Sequence, residues 1–96
     1  MFKEIEPQKV QEMQEEGAVN VVDIRDENSY SIGHIPNSVS LNDTNVKEYI
    51  ESTDKEKPLV VCCYHGNSSR GAAEYLSQNG FKEVYSMTGG FDAWPD

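Results

Sequence analysis

The chain is short of basic residues, cysteine and long apolar runs, and each shortage removes a class of function. It has 96 residues, with 8 lysines and arginines against 17 acidic residues and a formal net charge of −9. Phosphate-backbone contacts rely on basic side chains, so nucleic acid is not an expected partner. The acidity reads first as a solubility feature. It does not bar a small anion, because local charge and backbone N–H groups decide that. The longest apolar stretch, Pro58 to Cys63, is far below the ~20 residues that a membrane helix needs. The first residues, MFKEIEPQKV, lack the apolar core of a secretory signal. The expectation is a cytoplasmic protein with no membrane partner.

The two cysteines, Cys62 and Cys63, are adjacent. Neighbouring side chains on a strand point to opposite faces, so the pair is a poor disulfide. Two histidines, His34 and His65, and no C-x2-C spacing make no convincing zinc site. No repeat or low-complexity segment is present. Residues 1–96 suffice for a single domain with one modest core. A deep cofactor pocket would consume that core, whereas one loop can handle a small anion.

Hydrophobic periodicity and turn residues divide the chain into alternating strands and helices. Pro7 to Glu16 reads as a helix, with Pro7 in its first turn, Val10 and Met13 on one face and Gly17 as its stop. Ala18 to Val22 reads as a strand leading into Asp23-Ile24-Arg25-Asp26. Asn28 to Ile32 suggests a short helix or turn, and Ser38 to Leu41 a brief strand. Asn45 to Glu51 suggests a helix capped by Asp43 or Thr44. Leu59 to Cys62 is a continuous apolar run, as expected at the centre of a parallel sheet. Ser69 to Asn79 is the clearest helix, with Ala72, Ala73 and Leu76 inward and Gly80 as its stop. Glu83 to Ser86 is a last strand, followed by a Gly89-Gly90 turn and an anchoring Phe91, Ala93 and Trp94. The alternation implies an α/β fold, a small parallel sheet with helices on both faces.

The strongest chemical signal is a strand, then Cys63-Tyr64-His65-Gly66-Asn67-Ser68-Ser69, then a helix. In open α/β sheets ligands bind beyond the carboxyl ends of the strands. A cysteine there lies beside a helix N-terminus, whose free N–H groups stabilise a thiolate and bind anions. Gly66 lets the loop curl, and Asn67, Ser68 and Ser69 can cap the helix or donate hydrogen bonds. Such a ring suits attack by Cys63 on a sulfur donor, leaving a persulfide, or attack on phosphorus. Cysteine is also among the most buried residue types, and Cys62 reads as core. Tyr64 and His65 line the mouth of the loop or face water. Arg70 binds an anion, points to solvent or pairs with an acidic neighbour. Cysteine phosphatase loops place five residues between cysteine and arginine. Here six separate Cys63 from Arg70, which counts against a phosphatase or arsenate reductase.

These residues resemble the single-domain rhodanese family, most closely its short bacterial members. The segment VVCCYHGNSSRGAA, Val60 to Ala73, is similar to the family's active loop and aligns its catalytic cysteine with Cys63. Val22-Asp23-Ile24-Arg25, then Gly33-His34-Ile35-Pro36-Asn37-Ser38, then Val84-Tyr85-Ser86 with Gly89-Gly90-Phe91-Asp92-Ala93-Trp94 resemble three further family motifs, in order. The resemblance implies a rhodanese-like α/β fold and a thiosulfate sulfurtransferase needing neither metal nor organic cofactor. Thiosulfate, or another sulfane-sulfur donor, loads Cys63. Cyanide, a small thiol or a protein thiol then takes the sulfur. The resemblance also implies structural support from Asp23 and Arg25 as a buried pair, and from His34 through a loop hydrogen bond. Many members carry a basic residue where this chain has Ser68. The short members share the serine, which leaves backbone groups and Arg70 to meet an anionic donor. A persulfide relay loaded by a partner protein uses the same cysteine and remains an alternative.

Overall fold

The computed structural model of the chain describes residues 1–95. Its centre is β4, Leu59–Cys62, all four residues buried. Such a run suits a strand covered on both faces. It lies between β2, Asn20–Asp23, and β5, Val84–Met87. β3, Val39–Ser40, pairs with β2, and β1, Lys3–Ile5, pairs with β5. The order is β1-β5-β4-β2-β3 and every pairing is parallel.

The period of two along the strands divides the core. Val22, Leu59, Val61 and Val84 face one side, with Leu41, Ala73, Leu76 and Phe81. Two helices cover that side, α3 at Val46–Ser52 and α4 at Ser68–Gln78. Ile5, Val21, Val60, Cys62 and Met87 face the other side, with Ile35 and with Val10 of α1, Pro7–Glu15. Phe91 and Trp94, around a 3-10 turn at Phe91–Ala93, are half-buried against this second cluster, while Ala93 is exposed. The remaining helix, α2 at Glu27–Ile32, buries no residue. Asp26 caps it, accepting from the Ser29 N–H at 2.8 Å.

Besides the exposed Ala93, which does not anchor the chain as expected, the structure departs from the sequence-based expectation in two further places. β1 has no counterpart there, because Lys3 and Glu4 are exposed and only Ile5 is buried. Three residues are too few to display an alternation, and the open edge of β5 is what orders them. The start of α3 also differs. Neither Asp43 nor Thr44 caps it. Instead Asn42 Oδ1 accepts from the N–H groups of Thr44 at 2.9 Å and Asn45 at 3.1 Å, and Asn45 Oδ1 accepts from the Asn42 N–H at 2.8 Å. A reciprocal pair of asparagines closes this turn.

Leu59 has no exposed surface and packs at the centre of the first cluster. Leu59→Ala is expected to lower unfolding stability by about 2–5 kcal/mol. In urea titration the midpoint should fall while the slope stays unchanged.

Candidate active site

β4 ends at Cys62 and α4 begins at Ser68, so Cys63 to Asn67 form the turn between sheet and helix. Cys63 is only 3% exposed. Its Sγ accepts from the Gly66 N–H at 3.1 Å and the Ser69 N–H at 3.2 Å, and lies 3.2 Å from Ser69 Oγ. Asn67 holds the N-cap position of α4, yet its side chain makes no capping bond. The sulfur of Cys63 takes that role, accepting from the second residue of the helix as a capping oxygen would. Burial pushes the Cys63 thiol pKa up. The Ser69 hydroxyl and the N–H groups of Ser69, Gly66 and His65 outweigh burial and leave it below its ordinary value.

Cys62 has the opposite environment. It is fully buried, and burial first, then the nearby Asp23 carboxylate, push its pKa up to about 12. It is a packed thiol on the α1 side of the sheet, while Cys63 stands at the start of α4.

The loop is held from two directions. On one, the Phe91 N–H donates to the Cys63 carbonyl at 2.7 Å and the Asp92 N–H to the Tyr64 carbonyl at 3.2 Å. His65 Nδ1 lies 2.6 Å from Asp92 Oδ2, both side chains being exposed. Gly90 makes this approach possible. A Cβ there would lie 2.4 Å from the Tyr64 carbonyl carbon and oxygen, and its φ is +63°. On the other, the Tyr64 hydroxyl donates to Asp26 Oδ2 and lies 2.8 Å from Ser29 Oγ. The Tyr64 bond, then the Ser29 N–H, hold the Asp26 carboxyl below its ordinary pKa.

Beneath the loop, Asp23 and Arg25 form a buried pair. Arg25 Nη2 donates to Asp23 Oδ2 at 2.7 Å and to the Gly33 carbonyl at 2.7 Å, and Nε donates to both Asp23 oxygens at 3.1 and 3.0 Å. Its guanidinium sits 4.2 Å from the Phe91 ring centroid and 5.8 Å from that of Tyr64. Arg25 therefore joins the end of β2, the exit of α2 and the segments flanking the loop. The carboxylate bond to Asp23, working against burial, raises the Arg25 pKa further.

The other residues singled out by sequence lie as follows. Asn67 and Ser68 are exposed, and Ser69 is fully buried under the sulfur. Arg70 turns toward the sheet edge, its Nε 3.5 Å from Glu4 of β1. His34 is exposed, stacked on Tyr30 at 3.8 Å, with Nδ1 2.7 Å from the Tyr30 carbonyl. Sequence reasoning missed three contributors. Asp26 carries a legible signal, an acidic residue just before a helix. Asp92 carries none. Ser86 shows only as a hydroxyl at an inward position of an apolar strand. Its Oγ lies 2.7 Å from Ser69 Oγ.

A cleft of about 740 Å³ lies between α3 and α4, with apolar walls from Leu41, Val46, Ala72 and Leu76. It reaches Asp26 but not Cys63. Among the described residues, no group of three or more histidine, cysteine, aspartate or glutamate side chains is placed to hold a metal ion. No helix among them is long and apolar enough to cross a membrane.

A parallel α/β sheet with a thiol at the end of its central strand, seated in a helix N-terminus, defines a class. Residues 6–96 match the family model of the Rhodanese-like domain, and the chain belongs to that family. It is 52% identical over 93 residues to "Thiosulfate sulfurtransferase GlpE" of Ectopseudomonas mendocina, covering 97% of this chain and 84% of that one. A protein of the same name from Pseudomonas syringae pv. syringae is 50% identical, with 97% and 87% covered. Among solved structures, a rhodanese-related protein from Thermoplasma volcanium superposes with a TM-score of 0.81 at 30% identity, covering 97% of this chain and 90% of that one.

Two predictions follow from this geometry. Gly90→Ala forces a side chain into a backbone conformation and a contact that exclude it. It should cost at least about 1–3 kcal/mol and slow Cys63 alkylation, read by thermal melting and by iodoacetamide kinetics. The second concerns Cys62, whose folded pKa of about 12 lies above the ordinary 9.0. The unfolded chain loses this proton first, so its contribution is intact below pH 9 and is lost as pH rises toward 12. Stability should fall over that window, less steeply in Cys62→Ala, as followed by urea titrations at stepped pH.

Proposed function

We propose that the chain is a thiosulfate sulfurtransferase in which Cys63 carries the sulfur as a persulfide. The observation that carries this reading is the Cys63 sulfur itself, nearly buried yet accepting from the Gly66 and Ser69 N–H groups at 3.1 and 3.2 Å, with the Ser69 hydroxyl oxygen 3.2 Å away. A buried cysteine with a lowered pKa is a poor packing residue and a good nucleophile. The GlpE name of relatives near 50% identity supports the choice of thiosulfate.

The Cys63 thiolate attacks the outer sulfur of thiosulfate. A new S–S bond forms, the bond inside thiosulfate breaks, and sulfite leaves with the electron pair. The negative charge now rests on the outer sulfur, where N–H groups of the Tyr64–Ser68 turn and the start of α4 stabilise it. Cyanide, a small thiol or a protein thiol then attacks that sulfur, and Cys63 departs as thiolate. The low pKa that makes Cys63 available as a nucleophile also makes it a good leaving group. Neither step needs an added oxidant, metal or organic cofactor.

Asp23 and Arg25 act as supports for the loop in this scheme without touching substrate, and His34 supports the exit of α2 through the Tyr30 carbonyl. Arg70, turned to Glu4 at 3.5 Å, is assigned no direct role. That placement, with the six-residue spacing, supports setting phosphatase chemistry aside. We assign the protein to the cytoplasm, with no nucleic-acid or membrane partner.

The test is intact mass after incubation with thiosulfate, followed by cyanide. One added sulfur that requires Cys63, persists in Cys62→Ala and leaves as thiocyanate is the expected result. Cys63→Ser should lose essentially all turnover. A folded protein that gains no sulfur from thiosulfate but does so from a desulfurase would replace this reading with a relay.

A further inference from the structure

Ser86 lies on β5, paired with Val61 of β4 and Glu4 of β1, so its side chain faces α4. It is 1% exposed, in a strand whose other residues are Val84, Tyr85 and Met87. A buried hydroxyl is costly unless it is hydrogen-bonded. The partner recorded for Ser86 Oγ is Ser69 Oγ, at 2.7 Å, and Ser69 Oγ in turn lies 3.2 Å from Cys63 Sγ. Three polar atoms of buried residues thus form a line, Ser86 Oγ to Ser69 Oγ to Cys63 Sγ, whose two hydroxyls are shielded from water.

We propose that Ser86 is a positioning residue that, through Ser69, fixes a hydroxyl hydrogen bond onto the Cys63 sulfur in both the free and the sulfur-loaded states. This rests on the reading of Cys63 as the sulfur carrier. Counting protons gives the reason. With Cys63 as thiolate, the line has two hydroxyl protons and two links. Ser86 donates to Ser69, Ser69 donates to the sulfur, and nothing is left over. With Cys63 as thiol there are three protons for the same two links, and one donor has no acceptor within the line. An unmet buried donor is penalised, so the line favours the thiolate. In the persulfide Cys63 Sγ again carries no proton. The count returns to two protons and two links, with the same donor directions. Neither hydroxyl has to turn between the two half-reactions. Such fixed polarity costs no reorganisation when charge leaves or returns to Sγ.

Ser86→Ala removes the outer donor with little change of shape. The test is the pH profile of Cys63 alkylation by iodoacetamide, with the modified residue located by peptide mass, beside thermal melting and thiosulfate turnover. Ser86→Ala should move the alkylation midpoint up by about half to one pH unit, and slow alkylation below the midpoint about three- to tenfold. Ser86→Thr keeps the hydroxyl and should restore the wild-type midpoint. A lowered melting temperature with an unmoved profile would assign Ser86 to packing alone and overturn the proposal. A shift equally large in Ser86→Thr would overturn it too. Alkylation reads the sulfur directly. If wild-type protein shows a low midpoint and the Ser86 shifts but no turnover of thiosulfate, the hydroxyl line stands and the donor assignment fails.

Discussion

The loop is organised by one constraint, the Cys63 sulfur held almost out of water with N–H groups aimed at it. Burial alone disfavours a thiolate. The fold compensates by putting the sulfur where a helix would otherwise need a cap. Cys63 Sγ accepts from the N–H of Ser69, the second residue of α4, while the Asn67 side chain at the N-cap position makes no capping bond. The helix gains an acceptor for an orphan donor, and the sulfur gains the positive end of the helix. Fold stability and reactivity draw on the same hydrogen bond.

That arrangement works only if the turn is rigid, and two clamps that meet at Phe91 make it so. The Phe91–Trp94 segment crosses the loop through backbone bonds to Cys63 and Tyr64, at a separation that only Gly90 permits. The Asp23–Arg25 pair lies below, bonded to the Gly33 carbonyl and stacked under Phe91. A buried pair of this kind adds little net stability over an apolar replacement, but losing one partner is costly. Its geometric consequence matters more here. It places the ends of β2 and α2 against the C-terminal segment, so the loop is gripped rather than merely covered.

The strand–loop–helix frame is legible in the sequence because its signals are local. Leu59 to Cys62 is an unbroken apolar run, Gly66 marks the turn, and Ala73 and Leu76 give α4 its inward face. The family motifs add the order of the remaining elements. What escapes is non-local. β1 exists because β5 offers it an edge, and Lys3 and Glu4 carry no pattern that announces it. The pairing of His65 with Asp92 joins positions 27 residues apart through the fold. The Ser69–Ser86 contact depends on strand register, which sets Ser86 beside Val61 and on the α4 side of the sheet. The asparagine pair before α3 escapes for a different reason. Asn42 and Asn45 compete with Asp43 and Thr44 as caps, and only backbone geometry selects between them.

The most direct test of the account is a crystal structure of the protein soaked in thiosulfate without an acceptor. The account predicts one added sulfur on Cys63 Sγ, seated inside the Tyr64–Ser68 turn against its N–H groups. The bonds from Gly66 and Ser69 to Sγ should persist, and the loop backbone should not move. An added sulfur pointing out to solvent, or a loop that must rebuild to accept it, would contradict the claim that this turn is a preformed seat for a sulfur anion.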